Sequence, residues 1–212
     1  MVVEWNHITI NYGIDKNYIF YLYPSLPDNH NDERLLSKSG GKNMLKAIEE
    51  RLKRLGVDDN DDFHDQIRQR VGKRATRLLE QRLKNLIYLI PKLLSRALNL
   101  CDYKEIPADL KKSLGFVMTY LYHPRDFLPE DNRKLFGYLD DAYCMGLVYE
   151  KVLRTLQKTG IELSEGDERF MREFGLTKRN IKAVIPEEAK KISEMVSGIL
   201  KGSNDSFYAA FV

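Results

Sequence analysis

Residues 120–142 read YLYHPRDFLPEDNRKLFGYLDDA, and this stretch decides the fold. Pro124 and Pro129 are five residues apart, so the chain between them forms a rigid, non-helical corner between two helices. From residue 135 to residue 152 the only formal charges are Asp140, Asp141, Glu150 and Lys151. A helix that is apolar on nearly every side is typical of the buried centre of a bundle. We therefore predict a central helix from about Asn132 to Lys158, with a proline corner before it.

Asp140 and Asp141 lie inside this apolar helix, so we predict that both are at least half buried. A buried carboxylate is costly unless it is paired or hydrogen-bonded. Adjacent helical residues point about 100° apart, which makes one small ligand hard for the two acids to share. We expect donors among the amides of the corner at 123–130, with Arg125, Arg133 and His123 as further candidates.

Two interpretations of these acids remain open. In the first, the carboxylates hydrogen-bond the proline corner and lock the helical hairpin. In the second, a divalent-metal site takes its oxygen ligands, which Mg²⁺ and Ca²⁺ prefer, from Asp126, Glu130, Asp140 and Asp141. We favour the structural interpretation, because buried acids are more often satisfied by protein donors. The sequence therefore predicts no cofactor, with Mg or Ca as the alternative.

This segment resembles the YkvA-type domain, a family with no established activity. The pattern P-x-D-x-x-P-[DE] followed by G-Y-L-D-D is matched here by Pro124, Asp126, Pro129, Gly137, Tyr138, Leu139, Asp140 and Asp141. Glu130 stands where the family carries Asp, and the spacing to the glycine is one residue longer. The resemblance covers residues 114–152 and implies a helical hairpin without implying a reaction.

A second unusual segment is basic and runs from His64 to Lys84, within a single helix that we predict from about Asp58 to Leu89. Its cations outnumber its acids seven to two. The residues that are candidates for phosphate binding are Arg68, Arg70, Lys73, Arg74 and Arg77. Such a stripe can grip nucleic-acid phosphates. We favour a solvated helix face, or partners for the acids at 58–62, because charged stripes are the normal outer face of an amphipathic helix.

The remaining patterns predict a mainly α protein, a helical bundle with a small N-terminal β-hairpin. We divide the chain into a β element and loop at 1–41, a bundle at 42–202 that contains the hairpin at 114–152, and an apolar tail at 203–212. The hairpin turns at residues 13–15, and residues 24–41 form a loop rich in Pro, Asn and Gly. Helices are expected from about 43 to 55, 108 to 122, 167 to 174, 178 to 183 and 186 to 201, with a break at Pro91.

The chain ends in FYAAFV after a Gly-Ser-Asn-Asp-Ser stretch. An apolar segment of this kind either docks into its own core or binds a partner. The candidate partner-binding residues are Phe207, Tyr208, Phe211 and Val212. The sequence leaves both alternatives open.

The composition of the chain excludes some classes of function but does not identify one. The 212 residues carry a net charge of +3, which alone does not indicate a nucleic-acid partner, and two cysteines, which suit a reducing, cytoplasmic location. The apolar run at 86–100 is too short for a membrane span. No P-loop, His-x3-His pair or Gly-x-Ser-x-Gly elbow occurs. We therefore expect a non-enzymatic interaction or accessory-subunit protein with a protein partner, with nucleic-acid association and a metal-dependent hydrolase as alternatives.

Overall fold

The computed structural model describes residues 7–8, 20–21, 33–58, 62–101, 103–121, 127–128 and 134–200. Within them the protein is mainly α, as predicted. The α-helices are α1 Glu33–Asp58, α2 Asp62–Val71, α3 Arg77–Tyr88, α4 Ile90–Cys101, α5 Ala108–Leu121, α6 Leu139–Lys158, α7 Glu165–Val184 and α8 Pro186–Leu200. Short 3₁₀ helices cover Gly72–Arg74 and Lys134–Tyr138. Of the described helices, none is both long enough and apolar enough to cross a membrane.

Two short strands precede the helices. His7–Ile8 (β1) and Phe20–Tyr21 (β2) pair antiparallel, with His7 opposite Tyr21. The predicted turn at 13–15 lies outside the described residues. The N-terminal β-hairpin therefore stays a prediction.

Helix α6 is the centre of the bundle, as its apolar sequence predicts. It packs against α3, α4, α5, α7 and α8. Its buried side chains come from every side of the helix and include Leu139, Tyr143, Val148 and Val152. Thr159 follows its last residue, and Gly160 adopts a φ of +79°, which reverses the chain before α7 and confirms the predicted stop.

Close approach of α6 and α7 depends on one glycine. A Cβ atom added to Gly146 would lie 2.3 Å from the ring of Phe174, so a side chain at this position does not fit. The Phe174 ring stacks on Phe170 with 5.2 Å between centroids, and Phe170 meets Tyr149 of α6 edge to face. This aromatic layer fills the space between the two helices.

Three predicted boundaries are wrong. Helix α1 begins at Glu33, so part of the expected loop at 24–41 is helical and the helix crosses the proposed boundary at 41. Helix α7 is continuous where two helices were expected, because Gly175 is accommodated inside it. Helix α6 begins at Leu139, after the 3₁₀ helix Lys134–Tyr138, and not at about Asn132.

The basic segment does not form a single helix. Helix α2 stops at Val71, Gly72 takes a φ of +58°, and α3 begins only after Thr76, whose side chain accepts from the amide of Leu79 at 3.1 Å. The apolar periodicity continues through this break and conceals it from a sequence reading. The break at Pro91 is confirmed, since α3 ends at Tyr88 and α4 starts at Ile90.

Candidate functional site

Asp140, near the start of α6, holds the proline corner through hydrogen bonds. Asp140 is 0% exposed, and its Oδ2 accepts hydrogen bonds from the Tyr120 hydroxyl at 3.0 Å and from the amides of Phe127 and Leu128 at 3.1 Å each. Tyr120 belongs to α5, and the two amides belong to the corner. The amide donors that the sequence predicts for this acid are thus present, and one carboxylate joins α5, the corner and α6. We call Asp140 with these donors the acid clamp.

Burial controls the chemistry around the acid clamp. It raises the pKa of Tyr120 well above its ordinary value, and the charges of Asp140 and Asp141 add to this effect. Burial also raises the pKa of the Cys144 thiol, again with a contribution from the two acids. Tyr120 therefore stays protonated, and its hydroxyl donates a hydrogen bond to Asp140. Cys144 stays a thiol and is not a thiolate nucleophile.

The metal alternative stays a prediction. Asp141 is 2% exposed, so it is as deeply buried as expected. Asp126 and Glu130, the other two proposed ligands, lie outside the described residues. In the part of the chain that the structure describes, no group of three or more His, Cys, Asp or Glu side chains is arranged to hold a metal ion.

The five candidate phosphate-binding residues do not share one face. Arg70 is partly buried; it pairs with Glu188 of α8 at 3.1 Å and lies 5.3 Å above the ring of Phe136. Its carboxylate partner is therefore on α8. Arg77 pairs with Glu80 at 3.0 Å. Arg68, Lys73, Arg74 and Arg77 are exposed, whereas Arg70 is partly buried.

Glu80 is a buried carboxylate that the sequence reading missed. It is 7% exposed and contacts Lys84 at 3.1 Å, Arg77 at 3.0 Å and the Nδ1 of His64 at 3.0 Å. Burial opposes its ionisation, but the hydrogen bonds from Lys84, Arg77 and His64 outweigh burial and lower its pKa. The cluster ties α2 to α3 across the break at 72–76. The sequence signal for part of this cluster is the spacing of Glu80 and Lys84, since an acid four residues before a lysine on a helix can pair with it.

Two further ionic clusters tie α7 to its neighbours. Glu150 of α6 accepts from Lys178 at 2.7 Å and from Arg154 at 2.8 Å. Asp167 accepts from the Tyr149 hydroxyl at 2.8 Å and also from Arg96 of α4. Burial opposes the ionisation of both acids, yet their hydrogen bonds lower both pKa values. Glu80, Glu150 and Asp167 thus each hold two helices together.

A groove opens between α3 and α7. Its volume is about 240 Å³, and its α3 side is formed by Leu78, Leu79 and Arg82. The α7 side presents Asn180 and Ala183. The segment before α3 completes the lining with Val71, Arg74 and Thr76. We call this surface the α3–α7 groove; it combines apolar side chains with two arginines.

The predicted partner-binding tail is not placed by this geometry. Phe207, Tyr208, Phe211 and Val212 lie outside the described residues. The two alternatives for the tail, docking into its own core or binding a partner, therefore both stand.

Comparison with other proteins identifies no relative. No family model, no curated protein and no solved structure matches the chain. The resemblance of residues 114–152 to the YkvA-type domain therefore stays a prediction.

Proposed function

We propose that the protein is a non-enzymatic helical interaction module that serves as an accessory subunit of a larger assembly. The observation that carries this proposal is the acid clamp. Its aspartate, which belongs to the most distinctive motif of the chain, is fully buried and accepts from backbone amides and a tyrosine. A carboxylate bonded in this way positions a loop and does not face a substrate.

The buried ionic clusters support the same conclusion. Glu150 and Asp167 each connect two helices through a cationic donor, and Glu80 connects α3 to α2 through His64. A body that is cross-linked in this way presents a fixed surface, which lowers the entropy lost on binding a partner. We propose in addition that residues 114–152 form a YkvA-type hairpin and that the protein works in the cytoplasm, where the two buried thiols, Cys101 and Cys144, remain reduced.

The test is chemical cross-linking in the cells that naturally make the protein, followed by purification of a tagged full chain and native mass spectrometry. We expect a complex with a second, different chain in fixed stoichiometry. Recovery of single chains only would contradict the proposal. A variant lacking residues 206–212 shows whether the apolar tail contributes, since loss of the second chain from that variant alone would assign the contact to the tail.

Nucleic-acid association is the second candidate, and one observation favours it. Arg74 and Arg82 are exposed and lie along one groove, and within the described residues neither is paired with a carboxylate. Phosphates are natural ligands of such cations, and their binding weakens steeply as salt is added. A salt-sensitive mobility shift with duplex DNA or single-stranded RNA, lost in Arg74→Glu/Arg82→Glu, would support this candidate. No shift at low salt would end it.

A further inference from the structure

We infer that the α3–α7 groove is the docking site of a protein segment, an acidic amphipathic helix that inserts one or two leucine-sized side chains. This inference rests on the proposed interaction function and names the surface and the kind of partner. It is carried by three properties of the groove, namely its exposed apolar side chains, its charge and its size.

Exposed apolar side chains concentrate at this groove. Among the described residues, the large hydrophobic side chains that stay exposed are Val57, Leu78, Tyr88, Tyr103 and Leu176. Leu78 is 62% exposed and lines the groove. Leu176 is 50% exposed and lies one turn before Asn180, on the face of α7 that borders the groove. Single exposed hydrophobics are ordinary, but two beside one concavity indicate a contact surface.

The charge of the groove selects an acidic partner. Arg74 and Arg82 line it, and in the described part of the chain both lack a carboxylate partner, whereas Arg70 and Arg77 nearby have one. Carboxylates on the flanks of a docked helix would neutralise this pair of arginines. Because these charges are at the rim, they raise the association rate and set partner choice.

The size of the groove suits one or two side chains of a protein partner better than a small molecule. Its volume of about 240 Å³ is below the roughly 300–1,000 Å³ of typical small-molecule sites. The apolar lining residues Val71, Leu79 and Ala183 suit aliphatic anchors of a helix laid between two helices. Among the described residues that line the groove, none is an aromatic side chain on which a nucleic-acid base would stack, which favours a protein partner over nucleic acid.

The experiment is selection of a displayed library of random 16-residue peptides on the immobilised full chain. We expect enriched peptides to combine Leu, Ile or Phe at helical spacing with Glu or Asp. Fluorescence anisotropy with the best peptide should show binding that is about tenfold weaker for Leu78→Ser and at least as much weaker for Arg74→Glu/Arg82→Glu. Addition of salt should also weaken binding, because the rim charges are exposed.

Matched variants separate the groove from general effects of charge and polarity. Tyr103→Ser removes an exposed hydrophobic elsewhere, and Lys104→Glu/Lys151→Glu makes the same charge change at other exposed positions. Both should bind the peptide as the native protein does. Equal binding by the groove variants, or no enrichment of acidic amphipathic sequences, would overturn the inference. Circular dichroism melts of each variant establish that it is folded.

Two outcomes distinguish the groove from the function on which it rests. If the cellular complex forms and is unchanged by Arg74→Glu/Arg82→Glu, the interaction function stands and the groove assignment fails. If a 20-base-pair DNA duplex binds at 50 mM salt and the same variant abolishes that binding while peptides are not enriched, the groove belongs to nucleic acid and the inference is overturned.

Discussion

Asp140 and Glu80 are both buried carboxylates, but they are held by different kinds of donor. The described donors to Asp140 are a tyrosine hydroxyl and two backbone amides, whereas Glu80 contacts Lys84, Arg77 and His64. Long cationic side chains can turn to water when their partner is lost, and Arg77 is already 69% exposed. Backbone amides such as those of Phe127 and Leu128 cannot turn in this way. A carboxylate that holds backbone is therefore harder to replace than one that holds side chains.

The largest effect is expected from removing the acid clamp. Asp140→Ala leaves the amides of Phe127 and Leu128 without this acceptor, and the free energy of unfolding should fall by about 4 kcal/mol. Urea unfolding followed by circular dichroism measures the change. Asp109→Ala, at an exposed acid in the first turn of α5, is the control and should cost under about 1 kcal/mol. Similar losses in both variants would remove the contrast between buried and exposed acids.

The next effect tests the close packing of α6 against α7, at the seam where Phe174 lies next to Gly146. Gly146 lies one turn before Glu150, and a methyl group there would strike the Phe174 ring. Gly146→Ala should therefore lower the free energy of unfolding by about 2 kcal/mol, although alanine favours helix. A Cβ at Gly175 would meet open space, so Gly175→Ala should raise the free energy of unfolding by up to about 1 kcal/mol. Thermal melts of the two variants measure both changes. A stabilised Gly146→Ala variant would contradict the packing described for this seam.

Glu80 should contribute less than Asp140, and its contribution should depend on pH. Its pKa is lowered in the folded state, so the unfolded chain takes up the proton first. The stabilisation is present above the ordinary value of 4.5 and is lost as the pH falls through the lower folded value. Glu80→Gln should cost about 1.5 kcal/mol at pH 7 and less at pH 3. Urea unfolding at both pH values measures this loss, and an equal loss at pH 3 and pH 7 would contradict the prediction.

The smallest effect is expected at Tyr120. Tyr120→Phe removes one donor from the acid clamp while the amides of Phe127 and Leu128 remain. The free energy of unfolding should fall by about 1 kcal/mol, well below the loss in Asp140→Ala. Chemical unfolding of the two variants side by side checks the order. A Tyr120→Phe loss as large as that of Asp140→Ala would mean that the hydroxyl, and not the backbone, is the main partner.

The acid clamp could be foreseen because its signals are local in sequence. An apolar helix that contains two acids and follows a proline corner already requires nearby donors, and backbone amides of the corner are the nearest. The central position of α6 follows from the same pattern. What sequence reasoning cannot supply is the set of donors across the bundle, such as Tyr120, whose hydroxyl is brought close only by the packing of α5 on α6.

The contacts that join different helices, and the groove, could not be foreseen, because their members are distant in sequence. Arg70 and Glu188 are 118 residues apart, so a reading of residues 64–84 alone takes Arg70 for a surface cation. The break at Gly72 was missed because a single glycine is tolerated inside a helical pattern and the apolar spacing continues beyond it. The segment at this break contributes Val71, Arg74 and Thr76 to the lining of the α3–α7 groove.

Hydrogen exchange at the amides of Phe127 and Leu128 tests the central claim most directly. Because both amides are bonded to Asp140, they should exchange slowly in the native protein without any added metal, and Mg²⁺ or Ca²⁺ should leave their rates unchanged. The protection should disappear in Asp140→Ala. Exchange as fast as in an unfolded chain, with protection appearing only when a divalent ion is added, would show that the aspartate serves a metal site and not the architecture.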